Sequence, residues 1–334
     1  MKILWLLPDL GFTSAARQAS LVVPELTRGG AQCRIAVLRS GGPFTALLKS
    51  ANVDVVELAT RHDLGLRYLW ALNRLLRDWQ PDVIHAWRWP TIRALGMART
   101  FRGHRSGIIA SQLDRGHRPS QWDRWLLKKL IGDRQQPEVP LAVVAPSKAP
   151  EREPQKIVCM GRFDKAHGFF EGVWGHDVLS HFMPHLKIDF IGNGPELHRV
   201  ESFVRSISHH AENIRFFPPS IDAIDRLGEA AMAWIPSISA AGEQVALEAQ
   251  AAGTPVIATR IPSLSAIIAD GATGLLAPVS DPVAMAKAAR QLLENPEELR
   301  RLGEAGRERV LRDHAPGIIA AKWLGIYQSL AATR

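Results

Sequence analysis

Short uninterrupted apolar runs alternate along this chain with longer stretches whose apolar positions recur every three or four residues. The runs at 2–7, 34–38, 53–58, 83–86 and 107–110 read as strands buried on both faces, and the stretches at 15–28, 43–51, 66–79 and 91–101 as the helices between them. Such alternation predicts βαβ units and a parallel sheet covered on both sides. Five prolines then interrupt the pattern: Pro137, Pro140, Pro146, Pro150 and Pro154. Proline lacks an amide donor and breaks helices, so 137–155 reads as a linker. Beyond it the alternation restarts, with strands at 156–160, 187–191, 214–217, 231–235 and 255–258, and helices at 168–182, 196–210, 244–252, 281–294 and 296–312. A last helix is expected over 316–332. The predicted fold class is α/β, with two Rossmann-like doubly wound lobes at 1–136 and 156–315 and a helical segment at 316–334. Folds of this kind bind ligands at the carboxyl ends of their strands, so a cleft between the lobes is expected.

Length and composition agree with two ordinary cores: 334 residues, 46% hydrophobic and 22% charged. The two cysteines, Cys33 and Cys159, have no metal-ligand or redox spacing, which excludes a disulfide framework and suits a reducing compartment. The apolar start of the chain stops at Pro8-Asp9, too short for a secretory core or a membrane span, so a cytoplasmic protein is expected. The net charge is +8, and most of that excess lies in 99–134, with nine lysines and arginines against three acids. Within it Trp122, Trp125, Leu126 and Leu130 recur at helical spacing, with Arg124, Lys128 and Gln121 elsewhere on the helix. Two readings stand: a surface helix burying an apolar stripe of Trp122, Trp125, Leu126 and Leu130, or a peripheral contact of 99–134 with an anionic membrane on its inner face. No nucleic-acid partner is expected, because no helix-turn-helix, zinc-finger or RNP pattern accompanies the basic run.

Candidate chemistry concentrates in the second lobe, at three successive strand-to-helix turns. Gly161-Arg162 follows the strand 156–160, where a glycine admits a ligand to the backbone and a guanidinium can bind phosphate oxygens bidentately. Gly192-Asn193-Gly194-Pro195-Glu196 follows the strand 187–191, with proline at a helix start. The stretch 237–248 passes through Ala240-Ala241-Gly242 into a helix whose amino terminus is an anion site, and Glu248 lies about one turn in. Three such turns at one sheet edge suit a nucleotide diphosphate.

Over roughly 156–315 the text resembles the donor-binding domain of GT-B glycosyltransferases, most closely the glycosyl transferases group 1 (family 4) class. The resemblance rests on Val158 to Phe163, Asp189 to Leu197, Leu247 to Thr259 with Gly253 and Pro255, and Asp270-Gly271 to Gly274. The first lobe is similar in outline, through Asp82 to Ala86. The resemblance implies retaining, metal-independent transfer of a sugar from a UDP- or GDP-linked donor to an acceptor hydroxyl, with no cofactor. Arg162, His167 and Glu248 would be catalytic, and Gly161, Lys165, Gly192, Asn193, Gly194, Gly242, Glu243, Gln244 and Val245 would hold the donor. Gly11, Thr13, Ser14, His85 and Trp87 would line the acceptor side, with a glycan or a lipid-linked molecule as acceptor.

The chain departs from that pattern at several positions. His167 stands where the family has lysine, Ala240 where it has the first of two glutamates, and Leu113-Asp114 where it has an acceptor-side histidine. A catalytically degenerate module that binds nucleotide sugar, glycan or a partner is therefore the alternative reading. No metal is expected: His176, His181, His185, His209 and His210 read as solvated or capping residues, their neighbours lacking carboxylate or cysteine partners.

Overall fold

The computed structural model describes residues 1–59, 67–100, 106–111, 119–132, 136–146 and 151–332. The chain divides into two compact units, 1–142 with 316–334, and 143–315.

In the first unit the order is β1 (Lys2–Leu7), α1 (Ser14–Arg28), β2 (Gln32–Val37), α2 (Phe44–Ser50), β3 (Asp54–Glu57), α3 (Arg67–Trp79), β4 (Val83–Trp87), α4 (Arg88–Thr100), β5 (Gly107–Ser111) and α5 (Gln121–Ile131). The strands form one parallel sheet in the order β3-β2-β1-β4-β5, so β1 and β4 are central. Both are buried along nearly their whole length, as uninterrupted apolar runs require when helices cover both faces.

The second unit runs β6 (Glu153–Arg162), α6 (Phe169–Ser180), β7 (Lys187–Asn193), α7 (Leu197–Ile207), β8 (Ile214–Phe217), α8 (Ala223–Gly228), β9 (Ala230–Ile235), α9 (Glu243–Ala251), β10 (Val256–Thr259), α10 (Pro262–Ser265), β11 (Leu275–Ala277), α11 (Pro282–Leu293) and α12 (Pro296–His314). Its parallel sheet has the order β11-β10-β9-β6-β7-β8. The last helix, α13 (Pro316–Ala332), returns to the first unit, where Ile319, Ala320, Trp323 and Tyr327 join the core around Trp5 and Trp87.

The expected linker is only partly a linker. Ala142 is buried in the first core and exchanges two hydrogen bonds with Gln18, and just ahead of the linker Gln136 accepts the amide of Ala110 at the sheet edge. Residues 153–155 already belong to β6.

Helix α5 departs from the surface-helix reading at its two tryptophans. Asp123, Leu126 and Leu130 face inward, while Trp122 and Trp125 are 47% and 55% exposed beside Arg124, Lys128 and Lys129. Asp123 sets this phase. It closes a capping box with Ser120 and receives a two-pronged ion pair from Arg93 at 2.6 and 2.8 Å. Of the remaining basic residues of the expected patch, Arg99 lies on α4, and Arg102, Arg105, Arg115, Arg118 and Arg134 lie outside the described residues, as do Leu113, Asp114 and His117.

Candidate functional site

The carboxyl ends of β6, β7 and β9 meet at one edge of the second sheet. Gly161 pairs with Gly192 and Arg162 with Asn193, so both motifs sit inside the strand ends rather than after them. A Cβ on Gly192 would fall 1.8 Å from the carbonyl oxygen of Gly161, and one on Gly194 would fall 2.3 Å from that of Phe163. These two glycines are required by backbone meeting backbone. Gly161 answers a different need: a Cβ there would lie 2.6 Å from Cδ2 of His167, whose ring covers the strand end.

Asp164 organises this corner. It caps the 3-10 turn 165–167 by accepting the amide of Ala166 at 3.0 Å, and it accepts Nδ1–H of His167 at 2.7 Å. The ring's Nε2 is thereby left for another partner. The same carboxylate lies 3.6 Å from Nε of Arg162, whose side chain is 67% exposed, so that guanidinium is held loosely and can exchange onto a ligand. Lys165 is exposed next to it. The sequence reading named Arg162, Lys165 and His167 but missed Asp164, whose only signal was an aspartate ahead of a short turn.

The third turn is tied to the first. The amide of Ile238 donates to the carbonyl of Ala166 at 2.9 Å, and Gly168 turns with a positive φ of 66° directly against the Pro236 carbonyl. The loop ends at Gly242, φ 87°, the N-cap of α9, which brings no side chain to the first-turn amides. Ser239 and Ala240 are exposed on this loop, and the Ser237 hydroxyl is buried with no hydrogen-bond partner among the described residues. Glu243 and Val245 begin α9 as buried residues, and Glu248 is buried and accepts Nε2–H of Gln244 at 3.0 Å. Arg162, Lys165, His167 and the amino terminus of α9 are thus brought to one edge, together with Asn193 and the glycines that shape it.

The acceptor-side residues are only partly available. Gly11, Thr13 and Ser14 lie on the β1–α1 turn, where Gly11 donates to Asp9 and Thr13 caps α1 through Oγ1. His85 and Trp87 do not line an open surface. His85 is fully buried among Trp5, Trp87, Trp323 and Tyr327, its Nδ1 2.6 Å from the Tyr327 hydroxyl and its Nε2 2.8 Å from Ser111 Oγ. Burial drives its pKa down to about 3, so the ring is neutral. Trp87 stacks on Trp5 in the same core. Both are corrections to the sequence reading: β4 is a central strand, and α13 closes over the face where the histidine would have opened.

Of the histidines read as lacking carboxylate partners, His210 lies 3.3 Å from Glu212 through Nδ1. His176 is buried and bonds the Leu186 carbonyl. His181 and His209, by contrast, do have a carboxylate neighbour, Asp177.

Two parallel sheets flanked by helices, with this glycine-lined edge on the second, define the GT-B class of glycosyltransferase fold. Residues 154–295 match the model of the family described as Glycosyl transferases group 1. Over 97 residues the chain is 39% identical to the D-inositol 3-phosphate glycosyltransferase of Streptomyces coelicolor, covering 28% of this chain and 21% of that protein. Over 141 residues it is 30% identical to the N-acetyl-alpha-D-glucosaminyl L-malate synthase of Bacillus anthracis, covering 42% of this chain and 37% of that one. The chain thus spans well under half the length of these two curated relatives. In structure it resembles Anabaena HepE, solved with UDP and glucose, at a TM-score of 0.80 and 13% identity, covering 98% of this chain and 100% of that one.

Proposed function

We propose that this protein transfers a sugar from a nucleotide diphosphate-sugar, UDP- or GDP-linked, to an acceptor hydroxyl, with retention of configuration and without a metal or other cofactor. The observation that carries this reading is the corner organised by Asp164. It gathers an exposed guanidinium, an oriented imidazole and an exposed ammonium beside the amino terminus of α9, all at one strand edge. Departure of a nucleoside diphosphate leaves negative charge on the β-phosphate, and fixed positive groups and helix amides aimed at that charge lower the barrier. In this reading Arg162 and Lys165 receive the diphosphate, His167 in its doubly protonated form keeps Nδ1–H on Asp164 and donates Nε2–H to the leaving oxygen, and Glu248, held by Gln244, orients the sugar or ribose hydroxyls. Ordered backbone at Gly192, Asn193 and Gly194 shapes the wall around the base. The first unit serves the acceptor through Gly11, Thr13 and Ser14.

The outward tryptophans of α5 support an acceptor presented at a membrane. Trp122 and Trp125 beside Arg124, Lys128 and Lys129 give a helix face suited to an anionic bilayer surface, where each basic residue near the lipid contributes about 1 kcal/mol. Lys129 also lies over the ring of Trp125, 5.1 Å from its centre. This reading places the protein in the cytoplasm, docked peripherally on the inner membrane face, with a glycan or lipid-linked acceptor. No helix among the described residues is long and apolar enough to cross a membrane.

A second reading, a module that binds without transferring, is favoured by one observation: Ala240 leaves the exposed loop before α9 without a carboxylate. Calorimetric titration with UDP and GDP, combined with release of sugar from the corresponding donors, separates the two. The transferase reading expects nucleotide binding and sugar release, with Arg162→Ala lowering turnover by about 10²-fold or more. Binding without release supports the degenerate module. Absence of nucleotide binding overturns the transferase reading and leaves the second only as a binder of glycan or a partner.

A further inference from the structure

The second unit carries a cluster of side chains at its other end that the donor reading does not use. Helix α6 begins at the Gly168 turn and runs 12 residues, about 18 Å, to the amino-terminal edge of the sheet. Asp177 lies in its last turn and His181 is its C-cap, four residues on and therefore on the same face. His209 reaches the same place from the segment between α7 and β8.

We infer that Asp177, His181 and His209 form a binding site for a divalent transition-metal ion of the zinc type. One carboxylate oxygen and one ring nitrogen from each histidine all lie within 4.8 Å of one another. The two imidazoles meet edge to face, centres 4.9 Å apart. Hydrogen bonds already hold the three together, the His209 ring through Nδ1, 3.3 Å from Asp177 Oδ1. Asp177 Oδ1 accepts the backbone amide of His209 at 3.0 Å, which fixes the carboxylate against the second segment. His181 Nδ1 donates to the Asp177 carbonyl at 2.8 Å, which puts the proton on Nδ1 and leaves the Nε2 lone pair for a metal. A histidine held through its second nitrogen by a carbonyl or carboxylate is the usual outer support of a metal ligand. Two imidazoles and one carboxylate suit zinc, cobalt or nickel, whereas magnesium and calcium call for oxygen ligands throughout. Tetrahedral zinc needs bonds of about 2.0–2.2 Å, so the donors must draw closer than they stand, and both rings lie at the surface where a small shift meets little packing. The fourth position is left to water or an outside ligand. Such an ion would clip the end of α6 to the segment entering β8, apart from the donor edge.

The test uses the full chain after treatment with a chelator. Calorimetry with Zn²⁺ is expected to give one equivalent, and Co²⁺ to give the ligand-field absorption of a nitrogen–oxygen site. His181→Ala and His209→Ala should each weaken binding at least tenfold and abolish the cobalt bands. His198→Ala, on the exposed face of α7, should bind as the parent does. Circular dichroism of the variants checks that the fold is kept. Absence of stoichiometric binding, parental affinity in either cluster variant, or an equal loss in His198→Ala overturns the site.

Discussion

Replacing His85 by glutamine should remove most of one pH-dependent component of stability in the first unit. The native imidazole is enclosed by three tryptophans and Tyr327, and burial holds its pKa near 3 against an ordinary value of 6.5. Between those values the unfolded chain binds a proton that the native ring does not. The contribution of the neutral ring is therefore complete above about pH 6.5 and is lost as the pH falls toward 3. At pH 5 the deficit is about 1.5 pH units at 1.36 kcal/mol each, on the order of 2 kcal/mol. Glutamine keeps a polar group near Ser111 and Tyr327 but does not titrate. The assay is urea unfolding at pH 7 and pH 5 for parent and variant, with peptides of β1 and β4 followed by hydrogen-exchange mass spectrometry so that the first unit is read by itself. His176 in the second unit is also buried, with its pKa pushed down by burial, so the comparison is the difference between the two proteins rather than either profile alone. The expected result is a parent that loses about 2 kcal/mol more than the variant between pH 7 and 5. Equal losses in the two proteins would refute the claim that His85 stays neutral in the core.

Two further predictions follow from the same structure. Asp164→Asn removes the charge that orients His167 and steadies Arg162 while keeping the size and the cap on the 3-10 turn. Turnover of donor should fall about 10²-fold with little change in KM, because misplacement of a catalytic group is felt in the transition state, and steady-state kinetics check the split. Replacing Trp122 and Trp125 together by alanine should abolish co-sedimentation with anionic vesicles. In the parent that binding should weaken as salt rises, since the screening length is only about 8 Å near physiological ionic strength. Salt-independent binding that survives the double substitution would remove α5 from the interface.

The fold was legible wherever a strand is buried on both faces, because a continuous apolar run leaves the chain few alternatives. The extents of β1, β8 and α13 agree with the periodicity residue for residue. The elements missed are short or marginal: α8 has six residues, α10 four and β11 three. None is long enough to show a period, and each is held by packing against larger neighbours. Helix α5 was visible as a helix, but its surface-helix reading put Trp122 and Trp125 inside with Leu126 and Leu130, since two tryptophans outweigh one aspartate on any apolar scale. Asp123 nonetheless lies inside at 0% exposure, because Arg93 and Ser120 satisfy its charge. A buried carboxylate that keeps all its partners is stable where a pattern of hydrophobicity alone would exclude it.

The candidate site shows the same division between what a local motif can carry and what only tertiary contact supplies. Glycines near strand ends are conspicuous, yet Gly161 and Gly192 lie inside β6 and β7 rather than after them, and Gly192 and Gly194 owe their identity to neighbouring carbonyls rather than to a ligand. Asp164 is inconspicuous because its role exists only once the chain has turned back to set it between Arg162 and His167. His85 is the converse case. A histidine beside two tryptophans at a strand end looks open to a sugar, and nothing within that stretch of sequence opposes the reading. What closes it is Tyr327, 242 positions away, delivered by a helix that crosses back from beyond the second unit. A side chain whose environment is completed at such a distance cannot be assigned from its neighbours in sequence. Arg162, Lys165 and His167, which fall within six residues of chain at one sheet edge, are the part of the candidate site that local reading could reach.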